Sequence, residues 1–222
     1  IVYARKVNGR TLTLGVSGKL WEGSLVMIDS ESESSWSHIL GEAMRGPLQG
    51  EKLTPIPSVM TSWKTWKSEH PATTVCVMPR TSSVYVLADM DRDRGHVIGL
   101  SQDGRSRTWD ISLLHDHPVV NDMFGKLPVL VVFHQPSYTT VIYDRTVAGK
   151  TLTFEGTPGE LDDRDTGSRW NFLTGVAESG PLKGTKLTQL HGIISDAAAW
   201  EIYHSVNSTT WHPPARGNPD KR

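Results

Sequence analysis

Cysteine is almost absent from this chain, which contains only Cys76 among its 222 residues. A single thiol cannot form a disulfide within the chain, and it cannot supply the thiolates of a four-cysteine zinc cluster. Charge of one sign is also missing, because 23 basic residues balance 24 acidic ones. A nucleic acid requires a basic surface on its partner, so the composition predicts no nucleic-acid binding.

Long apolar runs are absent as well. No stretch of about 18 apolar residues occurs, so the sequence predicts no membrane-spanning helix. The residues that follow Ile1 do not have the pattern of a secretory signal peptide. The chain contains no phosphate-binding loop or dinucleotide fingerprint, and Gly15-Val16-Ser17-Gly18 lacks the spacing of a nucleophile elbow. Catalytic residues are therefore unknown at this level, and whether the protein is an enzyme stays open.

An internal repeat is the main feature that the chain does contain. Residues 1–14 return in similar form at 141–154, and the block from Trp36 to Leu53 returns, at one constant offset, from Trp170 to Leu187. The positions shared by the second pair of blocks are mostly glycine, proline and tryptophan. These residues set turn geometry and fill core volume, so the duplication indicates a duplicated fold.

The local patterns indicate a mainly β fold with a few short helices. Short runs rich in β-branched and aromatic residues recur, including Ser83–Ala88, and Asn8-Gly9 and Ala148-Gly149 are typical hairpin turns. Helical patterns are limited to three segments: 58–69, 195–204 and 110–115. We predict two related β units packed about a pseudo-two-fold axis. The first spans 1–95 and is truncated at its start, the second spans 96–211, and 212–222 form a loose tail.

Two local motifs also occur in both units. Asp29 and Asp163 each begin a pattern of Asp-x-acid-Ser/Thr-x-Ser-x-Trp, which predicts a side-chain-bonded turn that orients the tryptophan. A histidine follows a tryptophan by four residues at Trp66–His70 and again at Trp200–His204. At that spacing on a helix the two rings are neighbours, and the position favours helix capping over catalysis.

Several strings together resemble the family of bacterial and archaeal proteins known as domain of unknown function 3179. They are Gly15–Leu20, Leu25–Asp29, Glu33–Trp36, Gly46–Gly50, Thr61–Trp66, His70-Pro71, His117–Asp122 and Pro128–Arg145. The resemblance covers nearly the whole chain. It implies an exported or lipid-anchored protein located outside the cytoplasm, and it implies no assigned activity or catalytic residue.

One part of the family pattern is different here. In many members a Cys-Pro-Leu-Cys-Gly run precedes the position of Ile1, and the equivalent stretch of the second repeat reads His134-Gln135-Pro136-Ser137-Tyr138. By analogy with 97–140, about forty residues would precede Ile1 in a complete first repeat. The strand at Ile1–Arg5 would otherwise lack a partner, so we expect upstream polypeptide or self-association to cover it.

Histidines are the remaining candidates for chemistry. His115 and His117 have the spacing that places two side chains on one face of a strand, and His134 ends the apolar run that follows. These three residues could bind copper or zinc. Alternatively, His117, which precedes Pro118, is a loop or strand-end residue bonded to backbone, and His115 is exposed.

The sequence therefore supports two classes of function. The preferred one is a non-catalytic binding or structural protein outside the cytoplasm, because the repeat keeps mainly turn and core residues, and the aspartates and histidines that it shares fit turns and helix caps. The alternative is a copper- or zinc-binding protein, redox or hydrolytic, that uses the three histidines. Neither class identifies a substrate or a ligand.

Overall fold

The computed structural model describes residues 1–75 and 95–214. Cys76, the strand predicted at 83–88 and the part of the tail after residue 214 lie outside the described residues. Within the described ranges short strands dominate, and the three α-helices contain only six or seven residues each. The predicted mainly β fold with a few short helices is confirmed.

The described residues of the first unit form eight strands and one helix. They are β1 (Tyr3–Ala4), β2 (Lys6–Val7), β3 (Arg10–Thr11), β4 (Leu14–Trp21), β5 (Ser24–Asp29), β6 (Ser35–Ser37), β7 (Ala43–Arg45), β8 (Thr54–Pro55) and α1 (Trp63–Glu69). Strands β4 to β7 form an antiparallel sheet in chain order, and β2 and β3 form the predicted hairpin. Its turn residues, Asn8 and Gly9, both have positive φ, as a two-residue hairpin turn requires.

The second part of the chain repeats these elements and adds others. The added ones come first: β9 (His96–Gln102), β10 (Arg105–Asp110), α2 (Ile111–Asp116), β11 (Val119–Phe124), β12 (Leu127–His134) and a 3-10 helix (Gln135–Ser137). The repeated ones follow: β13 (Thr139–Asp144), β14 (Thr146–Val147), β15 (Lys150–Thr151), β16 (Phe154–Thr157), β17 (Glu160–Asp163), β18 (Arg169–Trp170), β19 (Ala177–Ser179), β20 (Thr188–Gln189), β21 (Ile193–Asp196), α3 (Ala197–Tyr203) and β22 (Ser208–Thr210).

Three four-stranded sheets organise this part. Strands β16 to β19 reproduce the sheet of the first unit, and β14 and β15 reproduce its hairpin. A second sheet has the order β11-β12-β13-β20, and a third has the order β21-β9-β10-β22, in which only the β10–β22 pair is parallel. Strand β12 is an inner strand of the second of these sheets and is buried over most of its length, which fits its continuous apolar run.

Four buried clusters form the core, and each contains one fully buried tryptophan: Trp36, Trp109, Trp170 or Trp200. Trp36 and Trp170 occupy equivalent positions in the two units. The retained tryptophans therefore fill core volume, as the sequence predicted.

A tyrosine packed on a glycine is repeated as well. The hydroxyl of Tyr3 donates to backbone carbonyls at 38 and 39, and that of Tyr143 donates to those at 172 and 173. A Cβ atom on Gly41 would come within 2.6 Å of the Tyr3 ring, and one on Gly175 within 2.7 Å of Tyr143. Both glycines have positive φ. Only glycine meets both demands, which explains its retention in both repeats.

Strand β1 differs from its equivalent, β13, in its neighbours. Strand β13 pairs with β12 on one edge and with β20 on the other, whereas β1 pairs with β8 and has no second partner among the described residues. The pairing of β1 with β8 has the same register as that of β13 with β20. The expectation of a covering strand, from upstream polypeptide or from self-association, stays a prediction.

Candidate functional site

The duplicated aspartate motif forms the predicted turn. Asp29 is fully buried, and its carboxylate accepts hydrogen bonds from the backbone N–H of Ser32 at 2.6 Å and from Trp36 Nε1 at 2.9 Å. The Ser32 hydroxyl also contacts Asp29 and Ser34. Burial acts to raise the pKa of Asp29, but the hydrogen bonds from Trp36, Ser32 and Ser34 together outweigh it and lower that pKa.

The second copy has the same geometry. Asp163 is buried and accepts from the Thr166 backbone N–H at 2.6 Å and from Trp170 Nε1 at 2.9 Å, and the Thr166 hydroxyl contacts Ser168. The predicted turn that orients the tryptophan is confirmed in both units. The serine hydroxyls at 34 and 168 also accept from the backbone N–H groups at 48 and 182. The acidic side chains Glu31 and Asp165 accept from those at 13 and 153. All these partners are backbone groups of the same unit, so the role of the motif is structural.

The two helix-end histidines also follow the sequence prediction. His70 and His204 are the C-terminal caps of α1 and α3, and each backbone N–H donates to the carbonyl of the tryptophan four residues earlier. Ring centroids are 3.9 Å apart for Trp66 and His70 and 4.1 Å apart for Trp200 and His204. Burial lowers the pKa of His204.

The helix predicted at 110–115 is confirmed, and the extended strand considered for His115 and His117 is wrong. Asp110 caps helix α2 and accepts from the Ser112 backbone N–H at 2.8 Å, so His115 lies in the last turn and His117 is the C-terminal cap. The cap residue before Pro118 ends the helix, as a residue preceding proline commonly does. Helical geometry at this short separation turns the two side chains in different directions.

The three histidines proposed as metal ligands have different surroundings. His115 packs edge-on against Phe133 at 5.0 Å, His117 packs against Trp211 at 5.7 Å, and His134 lies 4.7 Å from the ring of Phe172. Residues 1–75 and 95–214 contain no group of three or more His, Cys, Asp or Glu side chains placed to hold a metal ion. Copper or zinc binding by His115, His117 and His134 thus stays a prediction, without support from the described geometry.

His134 belongs to a different arrangement, at the turn between β12 and β13. Pro136 lies in the first turn of the 3-10 helix Gln135–Ser137, and Tyr138 adopts the left-handed conformation at φ 51°. This tight turn brings the Ser137 hydroxyl to 2.6 Å from His134 Nδ1. A left-handed residue that is not glycine costs about 1–2 kcal/mol, so the surrounding contacts must hold this turn in place.

A chain of hydrogen bonds starts at this turn and crosses to the first unit. Ser137 Oγ lies 2.6 Å from Thr139 Oγ1, which donates to Thr61 Oγ1 at 2.7 Å. Thr61 precedes helix α1 and is 78 residues away in sequence. Ser137 and Thr139 are buried, and Thr61 is half-buried. Four side chains from two units are therefore linked in one path.

The number of protons fixes the direction of this chain. Thr139 gives its single hydroxyl proton to Thr61, so its bond with Ser137 requires Ser137 to donate. Ser137 then has no proton left for His134, so the imidazole must donate from Nδ1. Ser137 therefore accepts a hydrogen bond from His134 and donates one to Thr139, whereas an activated nucleophile would donate its proton to the histidine. His134 is held as the Nδ1–H tautomer. Burial lowers the pKa of His134, which favours this neutral form.

The chain of hydrogen bonds ends at a cleft of about 540 Å³ between the two units. Its apolar surface comes largely from four side chains: Met60, Pro136, Tyr138 and Ile194. Met60 and Ile194 are equivalent positions of the two repeats, each two residues before the cap of its helix. Their meeting in one cleft is what packing about a two-fold axis would produce.

Polar groups line the same cleft, and two of them have unused bonding capacity. Thr61 accepts the proton of Thr139, while its own hydroxyl proton has no acceptor among the described residues. His96 Nδ1 is buried and has no hydrogen-bond partner among those residues. The other polar side chains of the described lining are Ser62, Gln135, Ser137 and Tyr138. None of the described lining residues is Lys, Arg, Asp or Glu.

Sequence reasoning missed most of this site. It selected His134 as a metal-ligand candidate, and it noted His134 and Ser137 as the residues found where the family pattern has cysteines. It did not select Thr61, His96 or Thr139. The signal that could have found Thr61 is its place one residue before the cap, Ser62, of a duplicated helix, since Ser195 holds the same place before Asp196.

Comparisons with known proteins agree with the repeat. A family model described as "Protein of unknown function (DUF3179)" matches residues 1–86 and again residues 78–208. No curated protein and no solved structure matches the chain. Across the described ranges, none of the helices has the length and apolar character needed to cross a membrane.

Proposed function

The chain belongs to the DUF3179 family of proteins of unknown function, and from the cleft between its two units we propose that it is a non-catalytic protein that binds a small molecule there. The observation that carries this proposal is the lining of the cleft. It combines a mostly apolar surface with a few polar groups, two of which have unused bonding capacity among the described residues. A concave site of several hundred Å³ with this composition is typical of small-molecule binding.

The direction of the hydroxyl chain supports binding over catalysis. An activated serine would give its proton to the imidazole, but Ser137 gives it to Thr139. The chain of hydrogen bonds instead holds the turn 134–138 against the first unit, which favours a preformed binding surface.

We place this role outside the cytoplasm, on the resemblance to exported or lipid-anchored family members. Fractionation of the native host, followed by detection of the protein with an antibody, tests this location. Recovery in the cytoplasmic fraction alone would contradict it.

The binding role can be tested with Nile red, an uncharged dye whose emission rises and shifts to the blue in an apolar site. Ile194→Trp fills the cleft and should abolish most of the dye signal. Ile28→Trp on β5, outside the cleft, is the matched control and should keep the signal. Equal dye binding by both variants would contradict the proposal, and retained circular dichroism confirms that each variant is folded.

A further inference from the structure

We propose that the cleft selects uncharged, largely apolar molecules that carry a carbonyl oxygen, and that this oxygen accepts a hydrogen bond from Thr61. This inference rests on the proposed binding function and names the ligand class for the same cleft.

The hydrogen-bond chain ends in a donor, the hydroxyl group of Thr61. Thr61 Oγ1 accepts from Thr139 at 2.7 Å and keeps a proton without an acceptor among the described residues, at a position that lines the cleft. A hydroxyl that already accepts a hydrogen bond is a stronger donor, because the bonds of a chain polarise one another. The path from His134 through Ser137 and Thr139 therefore makes Thr61 a good donor to a ligand acceptor.

The described part of the lining carries no full charge. None of the described residues that line the cleft is Lys, Arg, Asp or Glu. A carboxylate or an ammonium group would lose its hydration there without a charged partner, which is costly. A ketone, ester or amide oxygen can accept the Thr61 proton at a much smaller desolvation cost.

His96 supplies a second polar group. The residue lines the cleft, and its Nδ1 is buried from solvent with no hydrogen-bond partner among the described residues. Burying such an atom without a partner is unfavourable, so a ligand that reaches it gains a bond that the empty cleft does not make. A carbonyl compound with a neighbouring donor or acceptor group would satisfy Thr61 and His96 together.

A matched set of four ligands tests the inference. They are 4-phenylbutan-2-one, butylbenzene, 4-phenylbutanoate and 4-phenylbutylamine, which share the phenylalkyl body and differ in the polar end. Dissociation constants would come from ¹⁵N-resolved NMR titrations of the folded chain. We expect the ketone to bind about five- to tenfold more tightly than butylbenzene, from one added hydrogen bond, and at least about tenfold more tightly than either charged analogue.

Variants of Thr61 identify the donor. Thr61→Ala should remove most of the preference for the ketone over butylbenzene, whereas Thr61→Ser keeps the hydroxyl and should retain the preference. Thr151→Ala, an exposed threonine on β15, is the matched control and should change nothing.

The two proposals fail in different ways. If Ile194→Trp abolishes Nile red binding but the ketone binds no better than butylbenzene or the carboxylate, the ligand class is wrong and the binding cleft stands. If the preference for the ketone survives in Thr61→Ala, the assignment of Thr61 is overturned. If Nile red and all four compounds bind equally to wild type and Ile194→Trp, the cleft itself is wrong.

Discussion

The aspartate–tryptophan turns and the hydroxyl chain are both networks of short hydrogen bonds, but they are placed differently in the repeat. The turn occurs twice, with the indole-to-carboxylate distance equal to 2.9 Å in both units. The hydroxyl chain occurs once among the described residues, and it joins the turn 134–138 of the second unit to Thr61 of the first. Duplication has therefore kept what each unit needs to fold, whereas the candidate site depends on how the two units meet.

Removal of the buried carboxylate should lower the free energy of unfolding more than any other change. The loss should be similar in the two units. Asp29→Ala and Asp163→Ala each leave an indole N–H and several turn donors without their acceptor. We expect the free energy of unfolding to fall by about 3 kcal/mol or more in each variant, measured by urea denaturation.

The exposed residue Asp116 provides the control, and Asp116→Ala should change stability by less than about 0.5 kcal/mol. The pKa of Asp29 is lowered in the folded chain, so its contribution is complete above the unfolded pKa near 4 and is lost as the pH falls through the folded value. A loss of stability in only one of the two aspartate variants would contradict the prediction that the two turns are equivalent.

Glycine replacements should give the next largest effects. Gly41→Ala and Gly175→Ala introduce a methyl group against a tyrosine ring and also strain a positive φ, so we expect a cost of about 2–4 kcal/mol each. Gly9→Ala has the same positive φ with nothing within 4 Å, and it should cost only about 1–2 kcal/mol. Thermal unfolding measures the difference, and equal costs at Gly9 and Gly41 would show that the tyrosine contact does not constrain the fold.

Interruption of the hydroxyl chain should lower the free energy of unfolding by a smaller amount, but it should change the tautomer of His134 at the cleft. Ser137→Ala leaves the His134 Nδ1–H without its acceptor and removes the hydrogen bond that Thr139 accepts. We expect the free energy of unfolding to fall by about 1–2 kcal/mol. The ¹⁵N shifts of His134 should report the Nδ1–H tautomer in wild type and a shift toward the Nε2–H tautomer in the variant.

Ser205→Ala, at an exposed serine, is the control for that change and should leave the His134 shifts unaltered. A wild-type His134 that is mostly Nε2–H would contradict the direction of the chain.

Acid should weaken the fold gradually. Burial lowers the pKa of His38, His134, His191 and His204, so near and below pH 6.5 the unfolded chain binds more protons than the folded one. Stability should therefore fall as the pH drops from 7.5 to 5, seen as a lower urea midpoint. His204→Gln should reduce that fall, while Ser205→Ala, which removes no titratable group, should not. A midpoint that rises on acidification would contradict the assignment.

The sequence predicted the features that depend on neighbouring residues. Asn8-Gly9 and Ala148-Gly149 specify hairpin turns because the turn demands positive φ, and the spacing from Asp29 to Trp36 indicated a turn because one short segment contains every partner. The strand considered for His115 was wrong because a two-residue spacing is ambiguous. The helix predicted at 110–115, which Asp110 caps, is confirmed.

The cleft could not be predicted in this way. Thr61 and Thr139 are 78 residues apart and meet only through the packing of the two units. His96 became a candidate only once its buried nitrogen was seen to lack a partner among the described residues. Side chains of this kind carry no spacing signal, since their relation is purely tertiary.

Chemical-shift mapping with 4-phenylbutan-2-one tests the central claim most directly. If the cleft is the binding site, the largest shifts in a ¹⁵N-labelled chain should occur at Thr61, His96, Ser137 and Tyr138, and Ile194→Trp should abolish them. Shifts confined to the exposed hairpin of β4 and β5, or no saturable shifts at all, would contradict the account.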